Sequence, residues 1–156
     1  MMHSIYKKKN IFLRNNNEKM IQRIQTIYLA LALIITGVLP FVFPLWTTSD
    51  LKDFYFMLDF KYVALFGLST TLSFVSIISY KKRQNQFVMN RLNIILNLIL
   101  LGLFVYRSLN TSGEVPEISE KGVGMFLPIG AIVFLVLANK AIKKDEDLVK
   151  SVDRLR

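Results

Sequence analysis

The chain has 156 residues, of which 53% are hydrophobic and 20% charged, and it contains no cysteine, so disulfides, thiol catalysis and thiolate metal sites are excluded. Its net charge of +9 would suit a nucleic-acid binder. The basic residues flank long apolar runs instead of lining one helix face, so they read as topology-setting charges beside membrane spans, and no nucleic-acid partner is expected.

The first 19 residues, Met1 to Lys19, are polar, basic and rich in asparagine. They have no helical period and are expected to be a disordered extension, with Met20 as the biological start. A signal peptide is the rival reading of this region, but no small-residue cleavage site follows the apolar run. From Ile24 to Ser49 no residue is charged, which is more than the roughly 20 residues that a helix needs to cross the hydrocarbon core. The first span is placed at about 24–46. Pro40 and Pro44 remove backbone donors near its far end and should bend it there.

The connection that follows, Leu51 to Phe60, alternates Phe54, Phe56, Leu58 and Phe60 with Asp53, Tyr55, Met57 and Asp59. That pattern predicts a short strand or an interfacial segment. The second span, about 62–80, carries two small-xxx-small pairs, Ser69 with Ser73 and Gly67 with Thr71. Such residues let helix backbones approach closely in lipid. They serve either packing inside the bundle, the favoured reading, or a self-association face.

The third span, about 88–106, has an uncharged stretch of only 15 residues, Leu92 to Tyr106. Arg91 and Arg107 bracket it, and their long stems can snorkel to the interfaces. Asn93 and Asn97, at i and i+4, share one helix face. Hydrogen bonding across helices is their plainer reading; lining a substrate path is the sharper one. The second long connection has turn chemistry at Ser112-Gly113 and at Pro116, with a short strand expected at Glu117 to Ser119. The fourth span covers about 122–139, with Pro128 and Gly130 near its start. Trp46, Tyr55, Tyr62, Tyr80 and Tyr106 sit near the span boundaries as aromatic-belt residues do.

Beyond Asn139 the tail, 140–156, repeats apolar residues near helical spacing at Ala141, Ile142, Leu148, Val149, Val152 and Leu155. A helix continuing out of the fourth span is predicted, with Asp147 and Lys150 as an ordinary surface pair. Three roles are open to it: docking a partner protein, lying against anionic headgroups, or packing on the 81–91 connection.

Sixteen of the 20 Lys and Arg residues fall before the first span, between spans two and three, and after span four. These three clusters share one side only if the chain crosses four times, so span count and orientation support each other. By the positive-inside rule that side is cytoplasmic. The expected fold is an all-α integral membrane protein: an antiparallel up-down bundle of four transmembrane helices with a cytoplasmic C-terminal helical extension, all within residues 20–156.

Several segments resemble the bacterial membrane proteins grouped as domain of unknown function 4293. They are Met20-Ile21-Gln22-Arg23-Ile24-Gln25-Thr26, Pro44-Leu45-Trp46, Arg91-Leu92-Asn93, and the tail from Ala138-Asn139-Lys140 to Asp153-Arg154-Leu155-Arg156. The resemblance covers Met20 to Arg156 and is most specific at the ends. It implies a four-span inner-membrane protein of Bacteroidota-type bacteria and no particular activity.

Residues that carry chemistry are nearly absent from the spans. None of the four uncharged runs holds an ionisable residue, the usual mark of a proton relay or ion path. The one histidine, His3, lies in the N-terminal extension, so a Ser-His-Asp site and zinc hydrolysis lack their required residue. Gly122-Val-Gly124 alone is too weak for a phosphate loop. No catalytic, metal or cofactor residue is therefore expected, and the chain is not read as an enzyme. The candidate interaction residues are Asn93, Asn97, Ser69 and Ser73 in the spans and Asp145, Glu146, Asp153 and Arg154 in the tail. The expected function is that of a non-enzymatic accessory, scaffold or assembly component in the lipid bilayer, with a protein partner engaged through the tail. The alternative is a small oligomeric transporter or channel whose polar path is lined by span-two and span-three residues.

Overall fold

A computed structural model describes residues 24–47, 52–110 and 120–153. Met20, the strand expected at Glu117 to Ser119, and Arg154 lie outside the described residues, as do residues 1–19. Four helices are long and apolar enough to cross a membrane.

The first, α1, runs over Ile24–Val42. It is interrupted by a turn at Val38, after which Pro40 sits in the opening turn of the short segment Leu39–Val42. The helix ends before Pro44 and not at residue 46, because Trp46–Thr47 already forms a strand, β1. Asp53–Phe54 is a second strand, β2, and Phe56–Leu58 a single 3-10 turn. The alternation of Phe54 to Phe60 is therefore half strand and half turn. Helix α2, Phe60–Ile78, opens on Asp59, whose carboxylate accepts from the Lys61 N–H at 3.0 Å and caps a free helix-end donor.

A 3-10 turn at Ser79–Lys81 leads into α3, Arg83–Asn110. This helix has 28 residues, so the short third run was only the uncharged part of a longer element. The third strand, β3, is Glu120–Lys121, next to the stretch where a strand was expected. A 3-10 turn at Val123–Phe126 precedes α4, Leu127–Asp153. Pro128 is the second residue of α4, where a helix has no N–H bond to lose, so it starts this helix instead of kinking it. The tail continues α4 without a break to Asp153, as its periodicity predicted.

The helices alternate in direction, each packed on its chain neighbours, and α4 returns to α1. Tyr62 meets Phe104 at one end of the α2–α3 pair and Ser76 bonds Asn90 towards the other. Arg83 at the start of α3 reaches Asp145 late in α4. The Gln25 amide donates to the Ala141 carbonyl at 3.2 Å, and Leu29 and Ala32 pack on Leu135 and Ala138. Gly37 brings α1 against Thr70 of α2. The result is an antiparallel up-down four-helix bundle.

A three-stranded antiparallel sheet in the order β2–β1–β3 closes the end opposite Arg83 and Asp145, with Trp46 opposite both Phe54 and Lys121. Gly122 and Gly124 make this closure possible. Their N–H groups each donate at 3.0 Å, to the Leu45 and Pro44 carbonyls, and a Cβ on Gly122 would stand 2.3 Å from the Pro44 oxygen. The Gly-Val-Gly stretch is thus a backbone strap clasping Pro44-Leu45, and it needs no ligand to explain it.

Beneath the sheet lies an aromatic core. Phe54 stacks on Trp46 at 4.2 Å between ring centroids, and the Arg107 guanidinium lies 4.4 Å from the Trp46 ring centre. Tyr62, Phe66, Leu100 and Phe104 continue it towards the middle of the bundle. Trp46 and Tyr62 are thus buried within the bundle and not lipid-facing belt residues, and Arg107 covers an aromatic face instead of snorkelling. Tyr80 and Tyr106 are exposed, as belt residues are.

Candidate functional site: a buried amide–hydroxyl seam and a clamped tail

Helix α3 turns one polar stripe into the bundle: Gln86, Asn90, Asn93 and Asn97, spaced by four, three and four residues. At 3.6 residues per turn these positions align along one face. Helix α2 answers with Ser69, Ser73 and Ser76, also on one face and fully buried. Small serines let the two backbones come close enough for short amides to span the gap.

The bonds follow in sequence along the seam. Ser69 Oγ donates to Asn93 Oδ1 at 2.5 Å. Asn93 Nδ2 donates to the Ser69 carbonyl at 3.0 Å and to Ser73 Oγ at 2.7 Å. Asn97 Nδ2 is shared between Ser69 Oγ at 2.9 Å and the carbonyl of Asn93 at 2.9 Å. One turn nearer the Arg83 end, Ser76 Oγ donates to Asn90 Oδ1 at 2.7 Å. Ser69, Ser73, Asn93 and Asn97 are thus brought together as one network, and all four are at 0% exposure. Hydroxyls and amides do not titrate near neutrality, so this network carries no formal charge.

The tail residues divide. Asp145 is fully buried, and its carboxylate makes an ion pair with Arg83 Nε at 3.0 Å. Apart from this ion pair, neither carboxylate oxygen has a hydrogen-bond donor among the described residues, so the guanidinium charge is what compensates its burial. Glu146 faces outward and pairs with Lys150 at 2.7 Å, one turn on. Asp153 is the last residue of α4; its side chain is outside the description, as is all of Arg154. The four tail candidates therefore do not form one site. Of the three roles open to the tail, packing on the 81–91 segment holds for its Asp145 face.

The sequence candidates leave out Gln86, Asn90 and Arg83. Their spacing continues that of Asn93 and Asn97, so the periodicity was a usable signal. It was hidden because Arg83 and Arg91 made residues 81–91 look like a loop. Among the described residues no cluster of three or more His, Asp or Glu could hold a metal ion.

The profile described as Domain of unknown function (DUF4293) matches residues 21–155. The chain belongs to this family. The match takes in all four helices, the seam and the clamped part of the tail. Comparison with curated proteins and with solved structures gives no match.

Proposed function

We propose that this member of the family is a non-enzymatic, four-span protein of the bacterial inner membrane that acts as an accessory or scaffold component, presenting the end of α4 to a cytoplasmic or membrane partner. The observation that carries this reading is how the intramembrane polar groups are used. Ser69, Ser73, Asn93 and Asn97 bond one another and nearby backbone at 0% exposure. A transport path needs such groups to face water, so their mutual bonding favours adhesion between helices over conduction.

The tail is built differently. Helix α3 at 28 residues and α4 at 27 are each about 40 Å long at 1.5 Å per residue, against a hydrocarbon core of about 30 Å. Both overshoot at the same end, where Arg83 clamps Asp145. The tail is therefore a stiff continuation of the span, with Asp147, Leu148 and Ser151 exposed on its outer side. The basic clusters supply the orientation. The described Lys82, Arg83, Arg91, Lys140, Lys143 and Lys144 gather at the clamped end, and by the positive-inside rule that end is cytoplasmic, together with both termini.

The test is affinity purification from native membranes of the full chain and of a full-length Leu148→Asp/Ser151→Arg variant. Both substitutions lie beyond the Arg83–Asp145 pair and leave it intact. A defined partner held by the first and lost by the second is the expected result. Absence of a partner from both sends the reading back to the spans.

A further inference from the structure

We propose that Lys140, Lys143 and Lys144 form a seat for the phosphate of an anionic phospholipid, on the side of α4 turned away from the bundle. The inference rests on reading the four helices as membrane spans, and it concerns the lysines at the start of the tail, in a groove that borders the partner-docking residues Leu148 and Ser151.

The bundle side of α4 is occupied by Ala138, Ile142 and Asp145, all at 0% exposure. Lys140 and Lys144 lie one turn apart on the opposite side, with Lys143 beside them, and all three are exposed. They line an open groove of about 480 Å3 together with Asp147, Leu148 and Ser151. Three cations face one carboxylate there, since Glu146 is engaged by Lys150 and Asp145 by Arg83.

Height along the membrane normal selects the ligand. Lys140 directly follows Asn139, the last residue of the uncharged run. From Lys140 to Lys144 the helix rises about 6 Å. The headgroup layer on each side of a bilayer is about 5–8 Å deep, so the three ammonium groups span that layer. Because Arg83 clamps Asp145 in the next turn, α4 keeps its axial course and holds the lysines at this depth. A fixed row of cations at the depth of lipid phosphates, on a face turned away from the bundle, complements an anionic lipid. Each lysine near an anionic surface contributes roughly a fivefold gain in affinity.

The test is native mass spectrometry of the full-length protein in mild detergent, titrated with phosphatidylglycerol or with zwitterionic phosphatidylcholine. The full chain should carry phosphatidylglycerol in preference to phosphatidylcholine by about tenfold or more. Lys140→Gln/Lys143→Gln/Lys144→Gln should abolish that preference, whereas Lys52→Gln/Lys61→Gln, which neutralises lysines at the opposite end, should keep it. Equal uptake of the two lipids by the full chain, or a preference that survives the triple substitution, overturns the proposal while leaving the membrane reading intact. Displacement of the lipid by equimolar inorganic phosphate would overturn the lipid assignment. Uptake of no lipid at all would count against the membrane reading itself.

Discussion

Asn93 holds more of the bundle's specificity than its size suggests. Its side chain accepts a hydrogen bond from Ser69 and donates one to Ser73 and another to the Ser69 carbonyl, all at 0% exposure. At full burial an unpaired hydroxyl finds no water to replace a lost partner, so a polar group stranded by its neighbour costs about 1–3 kcal/mol. Asn93→Leu should therefore destabilise the protein by about 1–3 kcal/mol in detergent unfolding. Thr71→Val is the matched control: Thr71 is exposed and bonds only its own helix, at the Gly67 carbonyl. Equal loss in the two variants would show that the seam is not what joins α2 to α3. The glycines divide in the same way. Gly122→Ala places a methyl group against the Pro44 carbonyl, whereas nothing lies within 4 Å of a Cβ on Gly67. The melting temperature should fall by several degrees in Gly122→Ala and stay level or rise slightly in Gly67→Ala.

At the scale of elements, the Arg83–Asp145 pair decides whether the end of α4 is held. Its two members are unequally placed, with side-chain exposures of 25% for Arg83 and 1% for Asp145. Arg83→Leu leaves a buried carboxylate without its counter-charge and should cost on the order of 3 kcal/mol. Asp145→Leu leaves a guanidinium that can turn to water, so its cost should be smaller. Arg83→Leu/Asp145→Leu should recover much of the loss, because no buried charge is then unpaired. Unfolding measurements on the three variants give the order, and an Asp145→Leu costlier than Arg83→Leu would contradict it. These same elements show how far the sequence could be read. Helix count, the antiparallel bundle and the run of α4 into the tail were legible, because hydropathy over about 20 residues and a 3.6-residue period are long-range patterns. Asn93 and Asn97 were legible as one face for the same reason. The pairing of Asp145 with Arg83 was not, since a charged residue outside an apolar run carries no mark of whether it meets water or a partner. The sheet was only half legible: each strand has two residues, too few for an alternating pattern to stand out, and pairing across the chain is not a local property.

For the whole molecule, the two ends differ in construction. One end is closed by the small sheet, the Gly122–Gly124 strap and the Trp46 aromatic core. The other end gathers the basic residues and lets α3 and α4 project together. Under the proposed function these ends lie on opposite sides of a bilayer, with the basic end in the cytoplasm. The natural chain has no cysteine, so single cysteines can report sidedness without background. Gln84, Ser151, Lys52 and Asn110 are all exposed, the first two at the basic end and the last two at the sheet end. The measurement is labelling of Gln84→Cys, Ser151→Cys, Lys52→Cys and Asn110→Cys in intact spheroplasts with a membrane-impermeant maleimide. Modification of the cysteines at 52 and 110, with those at 84 and 151 protected until the membrane is opened, is the predicted result. Labelling of 84 and 110 together, or of all four in sealed spheroplasts, would contradict the four-span account.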